Sequence, residues 1–328
     1  MSPASVLSPE EKEHFLTHGW VKIPNAFTKE QAESITGNVW TRLGFDPNDK
    51  STWTRLRTNM PHHNEFDASQ FAPRARAAIC ELCGGEDKIT PSSKYWKDSF
   101  IVNLGSAEGE GKPARPQDLD GWHVDGDFFV HYLDSPEQGL LVTPLYTDIM
   151  PHGGGTMICP EAIPKVAKHL HDHPEGVSPR YTPRGEANFK QETNLSWFNS
   201  VARSCDNFVE AAGNTGDVYL LHPLMLHSAS DNSRRNVRII TNPPVSLREP
   251  FNFNRPDGNY TLVEQVTLRA LGKDSLPDWK PTAPRESVVP ERLKVQMKMK
   301  EDELRRLEEL KKTQQASTQQ ISAPIEMS

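Results

Sequence analysis

Gly121-Trp122-His123-Val124-Asp125-Gly126 is a short run bounded by glycines that sets an imidazole and a carboxylate two residues apart. In an extended strand residues i and i+2 face the same way, so both side chains meet on one side of a sheet. About a hundred residues later come Asp217-Val218-Tyr219-Leu220-Leu221-His222 and then Leu226-His227-Ser228, with Arg238 beyond them. Two histidines and one carboxylate on one face of a metal leave the remaining positions open, which suits a non-haem Fe(II) that must hold a co-substrate and O₂ together. A His-x-Asp pair alone is weak, because a surface histidine beside an acid arises by chance. The later histidine and arginine give it weight. His222 and His227 are five apart and would face opposite ways in one regular strand, so only one of them can join His123 and Asp125.

Working outward, residues 99–104, 121–125, 140–149, 155–159, 217–222 and 236–241 read as short strands broken by Gly, Pro and Asp. Helical signals precede them. Ser8-Pro9-Glu10-Glu11 is a capping box that starts a helix ending at Gly19, and Trp20-Val21-Lys22-Ile23 alternates like a strand. Thr28 with Gln31 repeats the capping pattern, and Ala32, Ile35, Val39 and Leu43 predict the buried face of one further helix. Many short strands after a helical section predict a mainly β fold with flanking helices, a double-sheet jelly roll. We expect one domain over residues 1–289, with helices in 1–97 and the strand core in 98–245, and a charged helical tail at 290–328, disordered in part.

In that tail the pairs Glu301 with Arg305, Asp302 with Arg306 and Glu308 with Lys312 stand four apart in the favourable order. Leu304, Leu307 and Leu310 supply one apolar edge, too short for a coiled coil. A solvated helix or packed appendage, dispensable for metal binding, is the expectation. Cys80 and Cys83 read as reduced thiols on a helix ending near Gly84, since no second CxxC completes a zinc site. His169, His171 and His173 read as a solvated surface run. The segment 52–64 and Trp197-Phe198-Asn199 are candidate lids over the metal, and Asn103 a candidate for the barrel mouth.

The 328 residues carry a formal net charge of −7, which offers no basic stripe for a nucleic-acid backbone. No run approaches the roughly 20 apolar residues that cross a bilayer, and the acidic start does not read as a targeting peptide. These features predict a cytoplasmic protein, monomer or homodimer, with a small-molecule partner.

From about residue 7 to residue 242 the sequence resembles the phytanoyl-CoA dioxygenase family of Fe(II)/2-oxoglutarate-dependent oxygenases. His123 and Asp125 match its His-x-Asp, and Gly155-Thr156-Met157-Ile158-Cys159-Pro160 resembles its Gly-x-Thr strand. His227 and Arg238 match its distal ligand and its co-substrate arginine. The resemblance implies a double-stranded β-helix, a cupin-like jelly roll. It implies Fe(II) on His123, Asp125 and His227, 2-oxoglutarate on Arg238 helped by Thr156, and O₂ as oxidant. The implied activity is oxidation of a C–H bond by hydroxylation, desaturation or ring closure, as fungal-type members carry out in secondary metabolism. Two departures stand out: Asp120 replaces a common Gln, and Glu161-Ala162-Ile163 replaces a common Gly-Ser-His. Two rival readings are a non-catalytic metal- or ligand-binding β-helix protein and a zinc-dependent hydrolase on the same three residues. Neither gives Arg238 a task.

Overall fold

The computed structural model describes residues 5–321. Helices are α1 (Pro9–His18), α2 (Lys29–Thr36), α3 (Val39–Leu43), α4 (Ala68–Phe71), α5 (Pro73–Leu82), α6 (Ile163–Asp172), α7 (Ser196–Arg203), α8 (Leu262–Leu271) and α9 (Arg292–Ile321). Strands are β1 (Trp20–Ile23), β2 (Arg57–Asn59), β3 (Glu65–Asp67), β4 (Tyr95–Lys97), β5 (Ile101–Asn103) and β6 (Leu141–Pro144), followed by β7 (Thr156–Cys159), β8 (Val209–Ala211), β9 (Val218–Leu221), β10 (Leu226–Ala229) and β11 (Arg238–Ile240).

The capping boxes at Ser8 and Thr28 form as the sequence dictates. The single helix expected beyond Thr28 does not. Gly37 and Asn38 interrupt it, and Val39 and Leu43 are buried from a separate turn of helix.

Four small antiparallel sheets run in the orders β1-β9-β6, β10-β7-β8, β11-β5-β2 and β3-β4. Leu145 bridges Ile240 and Leu140 bridges Val245, which ties the β6 segment to the β11 segment. Because β1 and β2 pair into sheets with later strands, the boundary expected near residue 98 is crossed by the sheets themselves. The expected strand at 121–125 is reduced to a single bridge, His123 to His227. Helices α1, α6 and α8 pack together beside β1, and β6, β9 and β11 are buried along their whole length. All four cysteines are free thiols, among them Cys80 and Cys83, for which the sequence predicted it. Among the described residues no helix is long and apolar enough to cross a membrane.

The tail helix α9 packs on α3, but not through the leucine edge. Leu304 and Leu310 are exposed, whereas Glu303 is only 1% exposed. Its carboxylate accepts from Arg42 Nε at 2.8 Å and lies 2.8 Å from His63 Nε2, and Arg42 also reaches Asp98. Arg306 donates to the carbonyl oxygens of Thr41 and Arg42 instead of pairing with Asp302, and Asp302 pairs with Arg305. Of the expected pairs, Glu308 with Lys312 forms. The end of the tail, residues 322–328, lies outside the described residues.

A charge pair this deeply buried stabilises little against an apolar substitute, yet removing one partner strands the other. Glu303→Ala should therefore cost about 3–5 kcal/mol, read as a drop in denaturant midpoint. An unchanged midpoint would show that α9 adds nothing to the stability of the domain.

Candidate metal centre

His227 stands in β10 directly opposite Ile158 of β7, and His123 N–H and C=O exchange 2.9 Å hydrogen bonds with those of His227. Directly opposed residues share a sheet face, so the two imidazoles lie together with ring centroids 4.3 Å apart. Asp125 completes the group: its Oδ1 is 3.4 Å from His123 Nε2 and 3.6 Å from His227 Nε2. One ligand atom from each of the three lies within 4.8 Å of the others.

The tautomers are fixed by the backbone. His123 Nδ1 is 2.8 Å from the carbonyl oxygen of Gly121 and His227 Nδ1 is 3.0 Å from that of Met225. Each carbonyl accepts an N–H from Nδ1, so Nε2 is the ring nitrogen turned towards Asp125, an N–H while the imidazolium pairs with the carboxylate and a lone pair once it is deprotonated. The second carboxylate oxygen accepts from Asn242 Nδ2 at 3.3 Å, which frees Oδ1 for the centre. Burial opposes charge on Asp125, but the two imidazoles outweigh it and hold the carboxyl well below its usual range. Burial also works against protonating His123, and Asp125 with the Gly121 carbonyl outweighs it, so the net shift is upward. This set of two imidazole nitrogens and one carboxylate fits a divalent transition metal.

Thr156 pairs with Ala229 two residues along from the Ile158–His227 pair, so it shares the metal-facing side of β7 and is buried. Arg238 lies on the neighbouring sheet opposite Asn103, itself opposite Arg57, and the three side chains form one row. Arg238 is 1% exposed and no acidic side chain pairs with it among the described residues, so a surface salt bridge does not explain it. Its Nε donates to Gly154 O at 2.6 Å and its Nη1 to Ile101 O at 3.2 Å. Gly154 adopts φ +81, and a Cβ there would stand 2.6 Å from Asn103 Nδ2, so only glycine brings this carbonyl to the arginine. Burial, and then Arg57, draw the Arg238 pKa down to about 9, which leaves it charged at neutral pH.

His222 is excluded from the site, though by a different geometry from two faces of one strand. β9 ends at Leu221, and Pro223, with no N–H to donate, sits in the turn before β10. His222 Nε2 meets Thr267 Oγ1 at 3.0 Å and Val263 O at 3.2 Å on α8. The candidate lids are fixed parts of the fold. Within 52–64, β2 is paired, Met60 is buried and His63 is tied to Glu303. Asn199 Nδ2 donates to Asp120 O and its Oδ1 accepts from Trp122 N, so α7 braces the chain entering His123. Asn103 is buried and spends its amide on Ser230 O and Gly105 N. His169 is half-buried and bonded to Tyr181 O, not part of a solvated run, whereas His171 and His173 pair with Asp172 and Glu175. Of the two departures, Asp120 is exposed and Glu161 caps the backbone of Asp206 and Asn207.

The backbone carbonyls of Gly121 and Met225 carry no residue-type signature, so sequence could not reveal them. Arg292 was also missed. Its guanidinium binds both oxygens of Asp127, two residues after Asp125, and brings the start of α9 to the rim of the centre. Just before it, Val130 N–H donates to Glu286 O and Val288 N–H to Phe128 O, so the tail runs along the loop that follows Asp125.

The chain matches no family model and no curated protein. Among solved structures it is similar to the non-heme alpha ketoglutarate dependent carbocyclase SnoK from nogalamycin biosynthesis, at 16% identity and TM-score 0.41, over 75% of this chain and 87% of that one. It is similar to EctD from S. alaskensis with bound Fe, at 16% and 0.41 over 78% and 84%. HygX from Streptomyces hygroscopicus, with nickel and 2-oxoglutarate bound, gives 13% and 0.38 over 73% and 86%. At likeness this distant, the reading of the site rests on this chain's own residues.

Burial holds the His222 pKa at about 3 against an ordinary 6.5. The unfolded chain takes up that proton below pH 6.5 and the native chain does not. Stability is therefore full above this value and falls as pH drops towards 3, by up to about 1.4 kcal/mol per pH unit. His131, buried and drawn to about 4, acts in the same sense. Melting curves from neutral pH to about pH 4 should show the slope, and His222→Gln should flatten it. An unaltered slope in that variant would remove His222 as its source.

Proposed function

We propose that this chain is an Fe(II)- and 2-oxoglutarate-dependent oxygenase on a double-stranded β-helix, oxidising a C–H bond of a small organic molecule. The observation that carries this reading is the pairing of two features: a His-Asp-His group whose imidazole tautomers are preset, and a buried arginine without an acidic partner on the adjoining sheet.

His123, Asp125 and His227 would hold the iron. Iron held there together with 2-oxoglutarate and O₂ would supply the oxidation of the substrate C–H bond, the O₂ being the oxidant. Everything else falls to the chain. Arg238 offers a planar fork suited to the distal carboxylate of the co-substrate, and burial strengthens that contact because water does not compete. Thr156 lies on β7 between Gly154, whose carbonyl anchors Arg238, and Ile158, which faces His227, so its hydroxyl is positioned along the same path. Arg57, on the Arg238 row but paired to Asp231 at 3.0 Å, keeps a second positive charge near that end. The brace from Asn199 and the carbonyls of Gly121 and Met225 orient the ligands, and the tail segment bonded to Phe128 and Val130 fixes the loop that follows Asp125. A hydrolase on the same three residues would leave Arg238 without purpose. Hydroxylation, desaturation and ring closure all begin from this arrangement.

Anaerobic addition of Fe(II) and 2-oxoglutarate should give a visible charge-transfer band in the wild type and in His222→Gln, and none in His227→Ala. Arg238→Ala should still bind Fe(II) but weaken 2-oxoglutarate by about 2–5 kcal/mol, read by titrating the band. Zinc-supported hydrolysis in the absence of any such band would overturn the oxygenase reading.

A further inference from the structure

Cys159 ends β7 and Cys205 lies just past α7, and side-chain contacts hold these two segments together. Glu161 Oε2 accepts from the N–H groups of Asp206 and Asn207 at 2.9 and 3.1 Å. Lys165 Nζ donates to Ser204 O at 2.7 Å, to Ser204 Oγ at 2.8 Å and to Cys205 Sγ at 3.3 Å. Residues that closely follow Cys159 thus grip the chain on either side of Cys205. Between these anchors the two thiols are in hydrogen-bonding contact, and both are free.

The two sulfurs have unlike surroundings. Cys159 is fully buried, and burial followed by the neighbouring Cys205 pushes its thiol above the ordinary range. Cys205 is buried too, but it is the one buried residue in the stretch 203–207, with Arg203, Ser204, Asp206 and Asn207 all exposed. Its sulfur lies just beneath the surface and faces the Lys165 ammonium. A sulfur beside a cation and close to solvent is placed for reaction, whereas a thiol sealed in apolar surroundings is inert. The second thiol in contact gives an oxidised sulfur a partner to condense with.

We propose that Cys205 and Cys159 are a peroxide-oxidised thiol pair that closes to a reversible disulfide, with Lys165 facing the sulfur that reacts first. The oxidant is hydrogen peroxide, small enough to pass the thin cover over Cys205. The Cys205 sulfur, having released its proton, attacks one peroxide oxygen. An S–O bond forms, the O–O bond breaks, and the departing hydroxide takes up the thiol proton as water. Cys159 then attacks the sulfenic sulfur of Cys205: the S–S bond forms, the S–O bond breaks, and hydroxide leaves with the Cys159 proton as a second water. The thiol pair loses two electrons and one peroxide is reduced to two waters. The bond would join β7, which pairs with β10 and sets the register of His227, to α7, whose Asn199 braces the chain entering His123. This modification site lies beyond the oxygenase reading and does not depend on it.

The full chain, kept metal-free with a chelator, is exposed to hydrogen peroxide, quenched with catalase, unfolded and alkylated, and its thiols are counted by mass spectrometry. The wild type should keep two of its four thiols, Cys80 and Cys83, and give one cross-linked peptide pair containing Cys159 and Cys205. Dithiothreitol should restore all four. In Cys159→Ala the oxidised Cys205 should be trapped by dimedone as the sulfenic acid, and Lys165→Gln should form the cross-link several-fold more slowly than the wild type. The wild-type cross-link is read on the native chain, so the proposal stays open to refutation even where a variant folds poorly. A bond between Cys80 and Cys83 in place of the expected one, Cys205 driven to sulfinic acid while Cys159 stays a thiol, or four intact thiols after a dose that oxidises the same chain in denaturant overturns the proposal. Equal rates in the wild type and Lys165→Gln overturn it as well.

Discussion

Two backbone hydrogen bonds between His123 and His227, each 2.9 Å, join segments about a hundred residues apart, and the site depends on them. They make the two histidines a directly opposed antiparallel pair, so both imidazoles must leave the sheet on the same side. The rest of the local structure serves to keep that pair in register. β7 pairs with β10 and sets Ile158 opposite His227, the turn from His222 to Met225 delivers a carbonyl to His227 Nδ1, and Asn199 holds the chain entering His123. A slip of one residue in either segment would send an imidazole to the opposite face. Closing a loop this long is entropically unfavourable, and the neighbouring ladders offset it by burying apolar strands such as β6 and β9 on both sides.

Charge is distributed around this pair unevenly. The Asp125 carboxylate is held ionised by the two imidazoles, while the arginines around it have distinct commitments. Arg292 is satisfied by Asp127 and fastens the tail, and Arg238 is satisfied by backbone oxygens alone, which leave its charge uncompensated. A buried or half-buried cation without a counter-charge is unfavourable in a fold selected for stability alone.

The tail joins these features to the rest of the molecule. Residues 284–290 run beside Phe128 and Val130, Arg292 grips Asp127, and α9 then crosses to α3, where Glu303 meets Arg42 and His63. The helix thus touches both the loop that follows Asp125 and the N-terminal helices. Its sequence left a solvated helix or a packed appendage open; the helix is packed, and the residues that anchor it are a glutamate and an arginine whose partners are remote in sequence. Charge patterning along one helix reports local pairs only, so it favoured Asp302 with Arg306 over the longer reach to Arg42.

The sequence by itself determined the local elements and the donor types. Capping boxes at Ser8 and Thr28 start their helices because side chain and backbone satisfy each other within one turn, and Thr261 with Glu264 does the same for α8, a pattern equally legible though not read. The His-x-Asp pair was likewise readable from residue type and spacing, and the family resemblance pointed to His227, which the fold brings beside that pair. Tertiary structure alone decided the rest. It replaced the expected strand at 121–125 with one bridge, split the helix after Thr36, and turned two supposed lids into braces. The physical reason is one of range: capping and alternation act within a few residues, whereas register, burial of charge and imidazole tautomer depend on partners that only folding brings near.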